Sequence, residues 1–133
     1  MRISTSIDPV FVFGSNVAGR HGKGAALWAR LHRGAIYGRG VGRQGSAYAI
    51  PTKDHQLRVL PLHVIRAYVG EFLDYARQRP NISFELTPIG CGLAGYRPEQ
   101  IAPMFSDAPP NVILPAVFDR VRRRIGRGLT AFN

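Results

Sequence analysis

Two glycine-rich segments hold the residues best suited to chemistry. The first is Gly14-Ser15-Asn16-Val17-Ala18-Gly19-Arg20-His21-Gly22-Lys23-Gly24-Ala25-Ala26, and the second is Ile89-Gly90-Cys91-Gly92-Leu93-Ala94-Gly95-Tyr96. Glycine lets a ligand approach bare backbone, or takes a positive φ that other residues resist. Where such a loop joins a strand to a helix, successive N–H groups are brought to face an anion. Lys23 adds a mobile cation inside the first loop. A phosphorylated ligand is the chemistry this arrangement suits.

Side chains for catalysis are fewer. His21 and Cys91 lie in different loops and would make a thiolate–imidazole nucleophile if those loops faced one another. No third residue is evident to orient them, and a lone cysteine is more often a small buried hydrophobe. Asp54 follows Ile50-Pro51-Thr52-Lys53 at the end of an apolar run, a place that suits either an acid/base group or a solvated turn. The other carboxylates do not pair for acid/base work. His32, His55 and His63 lack metal-ligand spacing, so neither a metal nor another cofactor is expected. Gly40-Val41-Gly42-Arg43-Gln44-Gly45 spells a dinucleotide fingerprint but runs into an apparent strand, where that motif must open a helix. A phosphate-binding loop of the Walker type would need Gly at Val17 and Ser or Thr at Gly24.

The elements that must position these residues alternate along the chain. Val10–Phe13 reads as a strand, 23–33 as a helix stopped by Gly34, and Ala35–Tyr37 and Ala47–Ile50 as two further strands flanking a flexible, basic stretch at 38–45. His63–Arg79 places Val64, Tyr68, Val69, Phe72, Leu73 and Ala76 on one helical face. Ile82–Thr87 alternates like a strand, Pro98 suits the first turn of a helix, and Asn111–Leu114 reads as a last strand. Alternation of this kind predicts an α/β sandwich with a mixed, largely parallel sheet. Both glycine loops then fall at the carboxyl ends of strands, where such sheets bind ligands.

A length of 133 residues suits one domain over 1–133, ending in a basic segment over 119–133. The net charge is +10, and arginine supplies nearly all of it, since Lys23 and Lys53 are the only lysines. Arginine grips phosphate bidentately, so the bias fits phosphorylated partners; the codon usage of a GC-rich genome would produce it equally well. Arg120, Arg122, Arg123, Arg124 and Arg127 read either as a solvated helix face or as an arm for nucleic-acid phosphates. No aromatic residue interleaves with them, so stacking on bases is not suggested there. No apolar run approaches the ~20 residues of a membrane span, the start lacks the pattern of a signal peptide, and one cysteine permits no internal disulfide. A cytoplasmic protein without membrane partners is expected.

Taken together, the two loops resemble those of a macrodomain, the ADP-ribose-binding α/β sandwich. The chain is similar in particular to a group of small bacterial and phage proteins carrying G-S-N-x-x-G-x-H-G-x-G-A-A and I-P-T-K-D, here Gly14–Ala26 and Ile50–Asp54. The resemblance covers most of residues 9 to 114 and implies a three-layer sandwich. It implies that Asn16, Gly22 and Gly24 hold a distal ribose. The loop over Gly90, Gly92, Leu93, Gly95 and Tyr96 would wrap a diphosphate through backbone amides, aided by Lys23. The implied function is binding of ADP-ribose or a related nucleotide metabolite. Hydrolysis of an ADP-ribosyl or phosphoester bond would be the reaction class of an enzyme here, with His21, Asp54 and Cys91 as its catalytic candidates. The alternative is a non-catalytic nucleic-acid-binding protein that uses the arginine-rich surface. The chain departs from the family in carrying Ala25-Ala26 where hydrolytic members place an Asp, and Ala94 where an aromatic is common.

Overall fold

The structure is a computed structural model that describes residues 8–131, with side chains described through Ile125. Strand β1 (Val10–Asn16) lies at the centre of a five-stranded sheet. Helix α1 (Gly24–His32) follows it, then an edge strand β2 (Gly42–Gln44) and strand β3 (Ala47–Lys53). Helix α2 (Leu62–Arg77) leads to β4 (Phe84–Leu86). A short α3 (Pro98–Ile101), continued by a 3-10 turn over Ala102–Phe105, leads to β5 (Val112–Ile113) and then to α4 (Ala116–Ala131). The order across the sheet is β2-β3-β1-β4-β5. Strands β3, β1, β4 and β5 run parallel, and β2 pairs antiparallel with β3.

The unbroken apolar run Val10–Phe13 in β1 suits a strand covered on both faces. Val10 and Val12 join Tyr48, Ile50, Phe84 and Leu86 in a core beneath Ile65, Val69, Phe72, Leu73 and Ala76 of α2. The stacking of Phe105 on Phe118, with centroids 5.9 Å apart, brings α4 into this same layer. Phe13 points to the other face, where Ala47 and Ala49 meet Ala26 and Ala29 of α1. Small residues on both sides let α1 lie close to the strands. The result is a sheet with helices on both faces, an α/β sandwich of three layers.

Two expectations change. Ala35–Tyr37 is not a strand: the Ile36 N–H donates to the Gln44 side chain at 2.8 Å, and the Arg39 N–H closes a turn on the Ile36 carbonyl. The strand in this region is β2, inside the stretch read as a flexible loop. Gly42 and Gly45 both take positive φ and bound it, and Gln44 is buried with both its oxygen and its nitrogen hydrogen-bonded.

The topology makes the crevice. From β1 the chain moves through α1 to β3 on one side, then crosses back through α2 to β4 on the other. The carboxyl ends of β3, β1 and β4 therefore open together where the winding reverses, the place where open α/β sheets leave room for a ligand. No helix among the described residues is long and apolar enough to cross a membrane.

Candidate functional site

A cleft of ≈ 610 Å³ occupies that crevice. Its walls are Gly14–Asn16 from β1, Gly22–Ala26 at the start of α1, Thr52 and Lys53 from β3, and 87–94 after β4. Lys23 is the N-cap of α1 in an extended conformation, and no side chain caps the helix. The first helical bond runs from the Leu27 N–H to the Lys23 carbonyl at 3.1 Å. Among the described residues the N–H groups of Gly22, Gly24, Ala25 and Ala26 thus have no hydrogen-bond partner, and all four residues line the cleft. Unpaired amides at a helix start carry roughly half a positive charge. Arg20, Lys23 and Lys53 add full charges, and no Asp or Glu lines the cleft. The cleft is therefore electropositive.

The second loop supplies the opposite wall. Cys91 N–H bonds the Pro88 carbonyl at 3.2 Å, Gly95 N–H that of Gly92 at 3.1 Å, and Tyr96 N–H that of Gly90 at 2.8 Å. The Tyr96 hydroxyl donates to the Leu60 carbonyl at 2.6 Å and ties the loop to the connection between β3 and α2. Gly90 and the exposed Gly92 and Leu93 line the cleft, whereas Gly95 and Tyr96 do not. The Gly95 amide is consumed within the loop and is not free for a phosphate; those of Gly92 and Leu93 have no partner among the described residues.

The polar residues singled out from the sequence separate. Asn16 reaches the cleft wall, but its Oδ1 accepts from the Arg20 N–H at 2.8 Å and its Nδ2 donates to the Arg20 carbonyl at 3.0 Å. One amide hydrogen remains for a ligand. His21 is fully buried and does not line the cleft. Its Nε2 lies 2.9 Å from the Arg39 carbonyl, and its ring meets Phe13 edge-on at 5.2 Å. Ser15 Oγ donates to the Gly40 carbonyl, and Gln44 Nε2 to that of Arg39 at 2.7 Å. Three buried side chains thus fasten the 38–40 turn against the end of β1. The pairing of His21 with Cys91 as a nucleophile is not formed.

Asp54 also lies outside the cleft. Its carboxylate accepts from the backbone N–H groups of Gln56 and Arg58 at 2.8 and 2.9 Å and from the Arg58 side chain at 3.2 Å. The Arg58 backbone bond is the largest cause that holds its pKa below the ordinary 3.8. It is the brace of a turn, not an acid poised to give up a proton. Cys91 does line the cleft, yet burial, followed by the nearby Glu99 charge, pushes its thiol above the usual 9.0. Sequence reasoning missed Arg20, Thr52, Lys53 and Leu57 as wall residues. Lys53 was legible as a cation at a strand end; Leu57 carried no signal, because its place depends on the 54–58 turn and on its positive φ of 63°.

Among the described residues, no group of three or more His, Cys, Asp or Glu gathers into a possible metal site. On α4, Arg123 pairs with Asp119 at 2.7 Å and Arg124 with Glu99 at 3.4 Å, while Arg120 and Arg122 are exposed. The Arg127 side chain lies outside the described residues. No protein-family model, curated protein or solved structure matches this chain.

Proposed function

We propose that the protein binds ADP-ribose or a related nucleotide metabolite, with the phosphates over the start of α1 and the turn at Gly92-Leu93. The observation that carries this reading is an uncapped helix start and three cations facing a cleft that contains no carboxylate. Charge-assisted bonds from such amides contribute roughly 1.5–3 kcal/mol each. The cleft has nucleotide size, since sites for small ligands occupy about 300–1,000 Å³. Leu57, Pro88 and Leu93 provide apolar wall for a base or sugar. The order and separation of the two glycine loops, which resemble those of macrodomains, support the same ligand class.

The reading is one of recognition and not of turnover. No carboxylate or imidazole lines the cleft, and burial pushes the Cys91 thiol above its usual value. Calorimetric titration of ADP-ribose, beside AMP, NAD and inorganic phosphate, tests the proposal. Saturable binding that weakens in Lys23→Gln and Lys53→Gln supports it. Absence of heat with all four ligands at millimolar concentration rules it out.

A further inference from the structure

A second surface lies on the outer side of α1, away from the cleft. Ala26 and Ala29 complete the contact of this helix with the sheet, which leaves its larger residues outside. Trp28 is 41% exposed, Leu31 65% and Tyr37, in the following turn, 55%. Neighbours at helical spacings join them into one strip: Trp28 with Leu31, Leu31 with Leu27, Leu27 with Arg30. Arg30 then sits over the Tyr37 ring at 5.0 Å, and Arg33 over the Trp28 ring at 5.0 Å. Trp28 is held in place by Phe11 at 4.8 Å and His32 at 5.0 Å. An aromatic ring under a guanidinium thus stands at each end of the strip.

Charge selects the partner. No Asp or Glu occurs between Val10 and Lys53, whereas Arg30 lies on α1, Arg33 at its end and Arg39 in the turn after it. The carboxylates nearest this side are Asp8, already paired with Arg33 at 3.1 Å, and Glu85, beside Phe11 across the β1–β4 pair. A second copy of the same face would bring arginine against arginine. A polyanion that also carries flat π-surfaces meets every feature: its bases stack on exposed rings and its phosphates meet the arginines. We infer that the outer face of α1 and the 36–39 turn form a docking surface for single-stranded nucleic acid, with bases stacked on Trp28 and Tyr37. This surface is distinct from both the cleft and the α4 arginines.

Trp28 is the only tryptophan, so its emission reports on this face alone. The test titrates the whole protein at low salt with a fluorescein-labelled oligouridylate of about twelve nucleotides, a length within the range such sites cover. Anisotropy reports binding and tryptophan emission reports stacking. The expected result is saturable quenching that parallels anisotropy, weakens steeply with salt, and is absent for a duplex of equal length. Tyr37→Ala, at an exposed position, should weaken binding about tenfold, as expected for the loss of one stacked base. Trp28→Phe should keep most of the affinity. No binding overturns the inference. So does binding without quenching that is lost in an Arg120→Gln, Arg122→Gln variant but kept in Tyr37→Ala, because the strand would then lie on α4. Self-association abolished by Leu31→Glu, with no oligonucleotide bound, also overturns it in favour of a second copy.

Discussion

Gly22→Glu separates binding from folding more sharply than any other single change in the cleft. Gly22 is exposed, its φ is not in the left-handed region, and a Cβ built there meets nothing within 4 Å. The new side chain is therefore accommodated without strain. Replacing a glycine at a compatible position also restricts the unfolded chain, which stabilises by roughly 0.4–1 kcal/mol. A carboxylate beside an uncapped helix start contributes about 0.3–1 kcal/mol more. Stability should hold or rise slightly. Binding should fall, because the carboxylate competes for the amides of Gly24, Ala25 and Ala26 and repels the incoming phosphate. At a separation of about 5 Å, repulsion by one phosphate charge is roughly 0.8 kcal/mol at the dielectric constant of water and about 3 kcal/mol at an effective value of 20. The dissociation constant for ADP-ribose should rise between about 4-fold and about 200-fold. Gly22→Gln supplies the same bulk without charge and should lose much less. The gap between Glu and Gln should narrow at high salt, where the Debye length becomes short. Calorimetry gives the affinities and a thermal melt gives the stability. Equal affinities for Gly22, Gln and Glu, with intact melts, would refute phosphate binding at the start of α1.

Other outcomes follow from the same geometry. Gly40→Ala should destabilise by about 3 kcal/mol or more in urea unfolding, because its Cβ would collide with the backbone carbonyl oxygens of Asn16 and Val17. Gly70→Ala, inside α2 and facing open space, should instead stabilise by about 1 kcal/mol; a loss at both positions would contradict the packing. Cys91 should react with iodoacetamide more slowly than a free thiol at pH 8, because a raised pKa leaves less thiolate at every pH below it. Faster reaction would restore the thiol as a nucleophile. The Asp54 carboxylate is held below its ordinary 3.8, so its contribution to the 54–58 turn is complete above that value and fades as pH falls through the lower folded value. Asp54→Asn should remove this dependence, seen as amide protection at 54–58, taken relative to the intrinsic exchange rate at each pH, that no longer falls on acidification.

The legible parts of the chain were those governed by local pattern. The helix start after Lys23, the helix stop at Gly34 and the strands at Val10 and Ala47 follow from apolar period and glycine placement. The face of α2 was placed nearly correctly: Val69, Phe72, Leu73 and Ala76 are buried, but Ile65 takes the central position while Val64 and Tyr68 are only half covered. The segment from Gly34 to Gly45 defeated local reasoning. Its conformation is set by Ser15 and His21, which reach it from another part of the chain, and by Gln44 within it. The pairing of arginine with aromatic residues on α1 is hidden in the linear order, because it is the helix and the turn after it that bring Arg30 over Tyr37.

The sequence by itself determined where backbone would be left bare. Glycines flanking a short helix with no capping side chain leave donors without partners whatever else the fold does, and the absence of Asp and Glu between Val10 and Lys53 sets the sign of the charge around them. Only the tertiary structure decided which polar side chains share that space. His21 and Asp54 sit within a few residues of the cleft wall, yet one is turned into the core to hold a carbonyl and the other is closed into its own turn. The physical reason is that the partner a polar group finds is given by packing and not by spacing along the chain. His21 Nε2 meets the Arg39 carbonyl while its buried Nδ1 has no partner among the described residues, and Asp54 closes on the amides of its own turn.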